Sequence, residues 1–125
     1  MIVGLADQLI FPNGTSHYYE RVLDLDPSAR DFYRYFEAPG VLHCMGGAGA
    51  YPSHALESLV KWVEQSIAPE TLEAATISLD NSEAVKYRPL CPYPLVAAYV
   101  GGNPDDAASF ECAESFNAVK RHTEL

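Results

Sequence analysis

The order of the segments at the N-terminal end of this chain constrains its fold more than any other feature of the sequence. Residues 1–6 form a short apolar run that stops at Asp7, which predicts a buried strand followed by a loop. Residues 16–25 carry apolar side chains at helical spacing, and residues 32–37 alternate aromatic with polar side chains as a strand does. A loop with His43 follows. Strand, loop, helix, strand and loop in this order predict an α/β sheet.

The remainder of the chain predicts one strongly amphipathic helix, two short strands and a loop-rich tail. The helix begins at Ser53 and stops before Pro69. Its apolar residues recur on one face: Leu56, Leu59, Val60, Val63 and Ile67. Residues 72–79 and 84–88 predict strands on either side of a turn at residues 80–82, and prolines and glycines recur in the tail from Cys91 onward. We expect one domain over residues 1–125.

Most aromatic side chains in the first half of the chain are expected to pack in the core rather than to bind a ligand. They are Tyr18, Tyr19, Phe32, Tyr33, Tyr35 and Phe36. Trp62 is expected to pack as well, and Asn13 or Thr15 is expected to cap the first helix. A strand that starts at the first residue has no segment leading into it, so we expect a chain cut inside a sheet.

The charge of the chain excludes two classes of partner. Seventeen acidic residues against eight basic ones give a formal charge of -9, which disfavours binding to nucleic acid or to an anionic membrane. No apolar run approaches the roughly 20 residues that span a bilayer. The N-terminus also lacks the basic flank and the small-residue cleavage site of a signal peptide.

Asp7 and His43 are the candidate catalytic residues. In open α/β sheets, functional groups collect beyond the carboxyl ends of strands, and each of these two residues follows a predicted strand. An imidazole can take the proton of a serine hydroxyl, and a carboxylate orients the ring and stabilises the imidazolium. The acid also precedes the histidine in the chain order of α/β-hydrolases. Spacing alone leaves open the alternative of a strand-end turn and a loop histidine without a catalytic role.

Cysteines and one sequon are the remaining candidates for chemistry. Cys44, Cys91 and Cys112 form an odd set, so one thiol has no partner within the chain if the other two pair. Residues 13–15 read Asn-Gly-Thr, which makes Asn13 an N-glycosylation acceptor in a secreted protein or simply part of a turn.

No metal or phosphate site is expected. Four residues offer zinc-binding atoms, but their spacing is not that of a zinc site: His17, His43, Cys44 and His54. The glycine run at residues 46–49 lacks the Lys and Ser/Thr of a phosphate-binding loop. Close approach of the backbone near His43 is the better explanation for these glycines.

Several longer strings resemble fungal tannases and feruloyl esterases. GLADQLIFPNGTSHYYERV resembles the acid loop and following helix of that family, FEAPGVLHCMGGAGA its histidine loop, and RPLCPYPLVAAYVGG with SFEC its C-terminal tail. The resemblance implies the C-terminal portion of an α/β-hydrolase fold, with a truncated sheet, flanking helices and a loop-rich tail. It also implies a secreted, extracellular carboxylic ester hydrolase that cleaves esters of aromatic acids such as galloyl or feruloyl groups.

The resemblance assigns roles to individual residues. Asp7 matches the catalytic acid and His43 the general base. Cys44 matches the cysteine whose disulfide reaches the residue beside the nucleophilic serine, and Cys91 and Cys112 match the disulfide of the tail. The alternative pairings of Cys44 with either of the other cysteines would tie the histidine loop to the tail.

This sequence departs from the family pattern at the nucleophile. It contains neither a Cys-Ser pair nor a Gly-x-Ser-x-Gly turn. We therefore expect the serine, the oxyanion-hole donors and a lid with a calcium site to belong to an upstream segment or chain, and this chain to hold no cofactor and to be inactive alone. The competing hypothesis is a non-catalytic accessory or binding remnant of the same family.

Overall fold

The N-terminal part of the molecule is a strand–helix–strand unit. The computed structural model describes residues 1–78 and 84–116. Strand β1 (Ile2–Gly4) is parallel to β2 (Phe36–Ala38), and helix α1 (Pro12–Leu25) with a 3-10 helix (Pro27–Asp31) connects them. The predicted order of elements is therefore confirmed. The predicted burial of the first strand is wrong for Ile2, which is 38% exposed, because β2 is its only strand partner among the described residues.

Helix α1 begins earlier than the pattern of apolar residues predicts. Pro12 occupies its first turn, where the fixed φ of proline suits the helix and the missing N–H has no intrahelical partner to lose. Asn13 and Thr15 consequently lie inside the helix, and the prediction that one of them caps it is wrong. The capping position falls to Phe11, which has no side-chain acceptor.

The second predicted strand is shorter than residues 32–37, because only its last two residues join β2. Four tyrosines pack edge-on or stacked between α1 and this segment: Tyr19, Tyr33, Tyr35 and Tyr93. The expected packing role is confirmed for Tyr19, Tyr35 and Phe36, which are buried. It is wrong for Tyr18 and Phe32, which are 60% and 68% exposed. The spacing of aromatic residues in the sequence does not by itself predict which of their rings contact a neighbouring element.

A second sheet adjoins this unit. It contains β3 (Tyr51–Pro52), β4 (Leu72–Ala75) and β5 (Tyr87–Leu90) in antiparallel order. The buried apolar core runs between the two sheets: Phe36, Ala38, Val41, Ala50, Leu72, Ala74 and Leu90. Both predicted strands are present, but the one predicted at residues 72–79 ends at Ala75 and the one predicted at residues 84–88 lies at residues 87–90. Residue 79 and the predicted turn at residues 80–82 lie outside the described residues.

Helix α2 (Ala55–Gln65) lies within the predicted range but is shorter at both ends, and its apolar face is not buried. No residue of the helix is buried, and Leu56 and Val63 are 70% and 74% exposed. Trp62 packs as expected, with the guanidinium of Arg34 5.6 Å from its ring centroid. Arg34 also donates to the Pro69 carbonyl over 2.6 Å, which ties the end of the α2 segment to the chain before β2.

The tail contains more regular structure than its prolines and glycines predict. Strands β6 (Val96–Tyr99) and β7 (Phe110–Ala113) form an antiparallel pair, so the prediction of a loop-rich tail is wrong for these residues. A disulfide joins Cys91, just after β5, to Cys112 in β7. Neither described stretch of the chain, residues 1–78 or 84–116, contains a helix with the length and apolar character to cross a membrane.

Candidate active site

The acid loop begins where β1 ends and is organised by a carboxylate. Asp7 Oδ1 accepts hydrogen bonds from the backbone N–H groups of Leu9 and Ile10, each at 2.8 Å. The backbone N–H of Ala6 donates to the Val41 carbonyl over 3.0 Å, which holds the acid loop against the segment after β2. Oδ1 is therefore engaged within its own loop, and Oδ2 is directed outward from it.

The histidine loop closes on itself after β2. Val41 and Gly47 form a bridge, and the Leu42 N–H donates to the Gly46 carbonyl over 3.0 Å. A Cβ on Gly47 would lie 2.2 Å from the Gly40 carbonyl oxygen, so this close approach requires glycine. The expectation that the glycines permit close backbone approach near His43 is confirmed. At the tip of the loop Cys44 has a backbone φ of 61°, which residues other than glycine seldom adopt.

The two loops meet through their functional side chains. His43 Nδ1 lies 2.9 Å from Asp7 Oδ2. An ionised carboxylate only accepts hydrogen bonds, so Nδ1 carries the proton and Nε2 is left as the basic nitrogen of the ring. The Asp7 side chain is 9% exposed and that of His43 is 34% exposed. The acid is thus enclosed and the imidazole is open to an incoming group.

The environment of Asp7 keeps its carboxyl ionised. The Ile10 N–H is the largest cause that lowers its pKa below the ordinary value of 3.8; partial desolvation opposes it, and the His43 ring and the Leu9 N–H lower the pKa further. Donors that bind the charged form lower a carboxyl pKa because protonation weakens those bonds. Asp7 is consequently a carboxylate at neutral pH, which is the form that orients an imidazole.

Two further side chains contact the histidine loop, and sequence reasoning did not single them out. The His43 N–H donates to Gln8 Oε1 over 3.3 Å. The Tyr51 hydroxyl donates to the Gly46 carbonyl over 3.0 Å. Position next to Asp7 is the one sequence signal for Gln8. Tyr51 has no such signal, because its contact depends on how β3 packs beside the loop.

The other predicted site residues are placed as follows. Cys44 is exposed with a free thiol at the tip of the histidine loop, and Asn13 is exposed in the first turn of α1. Cys91 and Cys112 are joined in the tail, which is the pairing that the resemblance implies. Within residues 1–78 and 84–116, no three His, Cys, Asp or Glu residues are grouped so as to hold a metal ion.

A parallel strand–helix–strand unit that brings a carboxylate to an imidazole at its strand ends is the acid–base arrangement of α/β-hydrolases. The fold and the site define a unit of that class. A family model described as tannase and feruloyl esterase matches residues 1–113. This chain belongs to the tannase and feruloyl esterase family, and the family is one of carboxylic ester hydrolases.

Individual relatives agree with this assignment. The chain is 42% identical over 120 residues to a probable feruloyl esterase of Arthroderma benhamiae, covering 92% of this chain and 22% of that protein. It is 39% identical over 112 residues to a mono(2-hydroxyethyl) terephthalate hydrolase of Piscinibacter sakaiensis, covering 88% and 19%. The solved structure of an esterase from Aspergillus oryzae matches with a TM-score of 0.80 and 34% identity, over 90% of this chain and 26% of that one. The chain thus spans a quarter or less of the first two relatives.

Proposed function

We propose that this chain supplies the acid and the general base of a serine carboxylic ester hydrolase that acts on esters of aromatic acids. The observation that carries the proposal is the contact between Asp7 Oδ2 and His43 Nδ1 at 2.9 Å. The two donors on Asp7 Oδ1 add to it, because they hold the carboxylate in the orientation that the imidazole needs. The nucleophilic serine belongs to a segment outside these 125 residues.

In the proposed reaction, His43 acts as a base and then as an acid in each of two half-reactions. His43 Nε2 first takes the proton of the serine hydroxyl while the serine oxygen attacks the ester carbonyl, and Asp7 stabilises the imidazolium that forms. The imidazolium then gives its proton to the departing alcohol, leaving an acyl-serine. Water attacks the acyl group, its proton passes to Nε2, and the same nitrogen returns the proton to the serine as the acid leaves. Asp7 remains ionised throughout.

Cys44 is proposed to join this site to the missing nucleophile. Its exposed thiol directly follows His43 in the loop. A disulfide from Cys44 to the cysteine beside the serine would hold the nucleophile near the base and would account for the odd number of cysteines in the chain. The partner of this chain is accordingly the segment or chain that carries the serine.

The substrate class and the compartment are proposed from the relatives. One relative bears the name of a feruloyl esterase and another that of a terephthalate monoester hydrolase. Both names describe esters of aromatic acids, which supports the same class here. A disulfide in the tail and an exposed sequon asparagine, Asn13, fit an extracellular protein, since disulfides persist in oxidising compartments.

A chimera tests the proposal. The chain is used to replace the matching segment of the Arthroderma benhamiae feruloyl esterase, and turnover of methyl ferulate and methyl gallate is measured. The chimera should be active, and His43→Ala or Asp7→Asn should lower kcat by at least about a thousandfold. His17→Ala, an exposed histidine on α1, is the matched control and should leave kcat unchanged. The 125-residue chain by itself should show no turnover, because it has no serine nucleophile beside His43.

Two outcomes would contradict the proposal. Turnover that survives His43→Ala in the chimera would show that this imidazole is not the base. A folded chimera with no turnover, while the relative itself is active, would favour the competing hypothesis of a non-catalytic remnant.

A further inference from the structure

The imidazole of His43 lies on an exposed turn, so packing alone does not fix its position. His43 is one-third exposed, and Met45, two residues on, is 71% exposed. The intervening Cys44 has a left-handed backbone, and the Met45 N–H donates back to the His43 carbonyl over 2.7 Å, so the chain turns sharply at this point. A tight exposed turn keeps a defined position when other groups bind its polar backbone atoms.

Two side chains from different elements bind those atoms. Gln8 belongs to the acid loop, and its Oε1 accepts the backbone N–H of His43 itself. Tyr51 belongs to β3, and its hydroxyl donates to the carbonyl of Gly46, where the loop returns. The Tyr51 ring is partly buried against the hydrophobic core, so this contact links the loop to the rigid part of the molecule.

We propose that Gln8 and Tyr51 are positioning residues that set the place of the imidazole relative to Asp7. The inference rests on the proposed function, in which His43 must reach both Asp7 and the serine. Gln8 joins the acid loop to the backbone of His43, in parallel with the side-chain contact of Asp7. Tyr51 binds the other end of the loop at the Gly46 carbonyl. The loop is therefore held at both ends, and the imidazole between them is less free to move away from Asp7.

Substitutions at Gln8 test the first contact. Gln8→Met keeps the length of the side chain and removes the acceptor, whereas Gln8→Glu keeps an acceptor at the same place. Hydrogen exchange of the His43 amide, measured by NMR on the 125-residue chain, should quicken by about fivefold in Gln8→Met, as expected for the loss of one hydrogen bond. Gln8→Glu should restore slow exchange. Equal exchange in Gln8→Met and wild type would overturn the role of Gln8.

Tyrosine-to-phenylalanine pairs test the second contact. Tyr51→Phe removes only the hydroxyl that binds the Gly46 carbonyl. Tyr99→Phe is the matched control, because the Tyr99 hydroxyl also donates to a glycine carbonyl, that of Gly102, over 2.6 Å in the tail. The imidazole resonances of His43 should move or broaden in Tyr51→Phe and stay unchanged in Tyr99→Phe. Identical His43 spectra in both variants would overturn the role of Tyr51.

Kinetics in the chimera separate this inference from the proposed function. Gln8→Met and Tyr51→Phe should each lower kcat by about tenfold with little change in KM, since they misplace the base without removing substrate contacts. Unchanged kcat in both, together with an inactive His43→Ala, would refute the positioning role and leave the proposed function standing. Activity that survives His43→Ala would refute the proposed function, while the exchange and NMR measurements would still decide whether the two residues hold the loop.

Discussion

Two regions differ in how far the described residues satisfy their interactions. One is the corner where the acid loop and the histidine loop bring Asp7 to His43, and the other is the apolar face of helix α2. At the corner, both carboxylate oxygens of Asp7 are engaged and the histidine loop is bound by backbone and side-chain groups of residues 4–51. On α2, the apolar residues that recur at helical spacing remain exposed. The polar groups of the corner thus find their hydrogen-bond partners among nearby residues, whereas the apolar surface of α2 is not buried.

This difference separates two kinds of interaction. Hydrogen bonds of a strand-end loop need partners only a few ångströms away, and the neighbouring loop supplies them. Hydrophobic stabilisation scales with the area removed from water, so an amphipathic helix needs a covering element of comparable size.

Paired leucine substitutions should show the largest contrast. Leu72→Ala in β4 removes a buried side chain and should lower the free energy of unfolding by about 2–5 kcal/mol. Leu56→Ala on α2 makes the same chemical change at an exposed position and should change it by less than about 0.5 kcal/mol. Urea unfolding of the 125-residue chain measures both.

The same two substitutions should behave differently in the chimera. If a further segment covers α2, Leu56→Ala should cost more in the chimera than in the chain alone, and Leu72→Ala should cost about the same in both. Equal small costs for Leu56→Ala in the two proteins would show that no further segment covers the apolar face of α2.

Removing the tail disulfide should have the next largest effect. Replacing Cys91 and Cys112 together by serine frees residues 21 positions apart and should lower the free energy of unfolding by about 3 kcal/mol, mainly by loosening the constraint on the unfolded chain. The His43 ring resonances should not change, because the bonds that hold the corner come from residues 4–51. A shift of those resonances in the serine variant would show that the corner depends on the tail.

Acid pH should have the smallest effect. Because folding lowers the pKa of Asp7 below 3.8, its carboxylate stabilises the fold above that pH, and this contribution is lost as the pH falls through the folded-state pKa. In urea unfolding, the stability difference between wild type and Asp7→Asn should therefore be full at about pH 6 and shrink towards about pH 2. A difference that stays constant over this range would mean that the carboxylate does not stabilise the corner through its charge.

Some residues of the site could be predicted from the sequence and others could not. Asp7 and His43 stand out because each follows a strand pattern, and the structure brings them into contact. Gln8 and Tyr51 carry no such pattern, because their partners are backbone atoms of the histidine loop, and these contacts depend on how the acid loop and β3 lie beside it. The catalytic roles of Asp7 and His43 and the positioning roles of Gln8 and Tyr51 remain predictions. The same holds for the location of the nucleophilic serine in another segment.

The sequence alone predicted the order of the elements from β1 to β2, the amphipathic character of α2 and the placement of an acid and a histidine after successive strands. These properties depend on spacing along the chain, which periodicity reports directly. Two properties became visible only in the folded molecule: the tail pairs as β6 and β7, and the apolar face of α2 is left exposed. Each of these depends on contacts between residues distant in sequence, and a local pattern carries no information about whether such a partner is present.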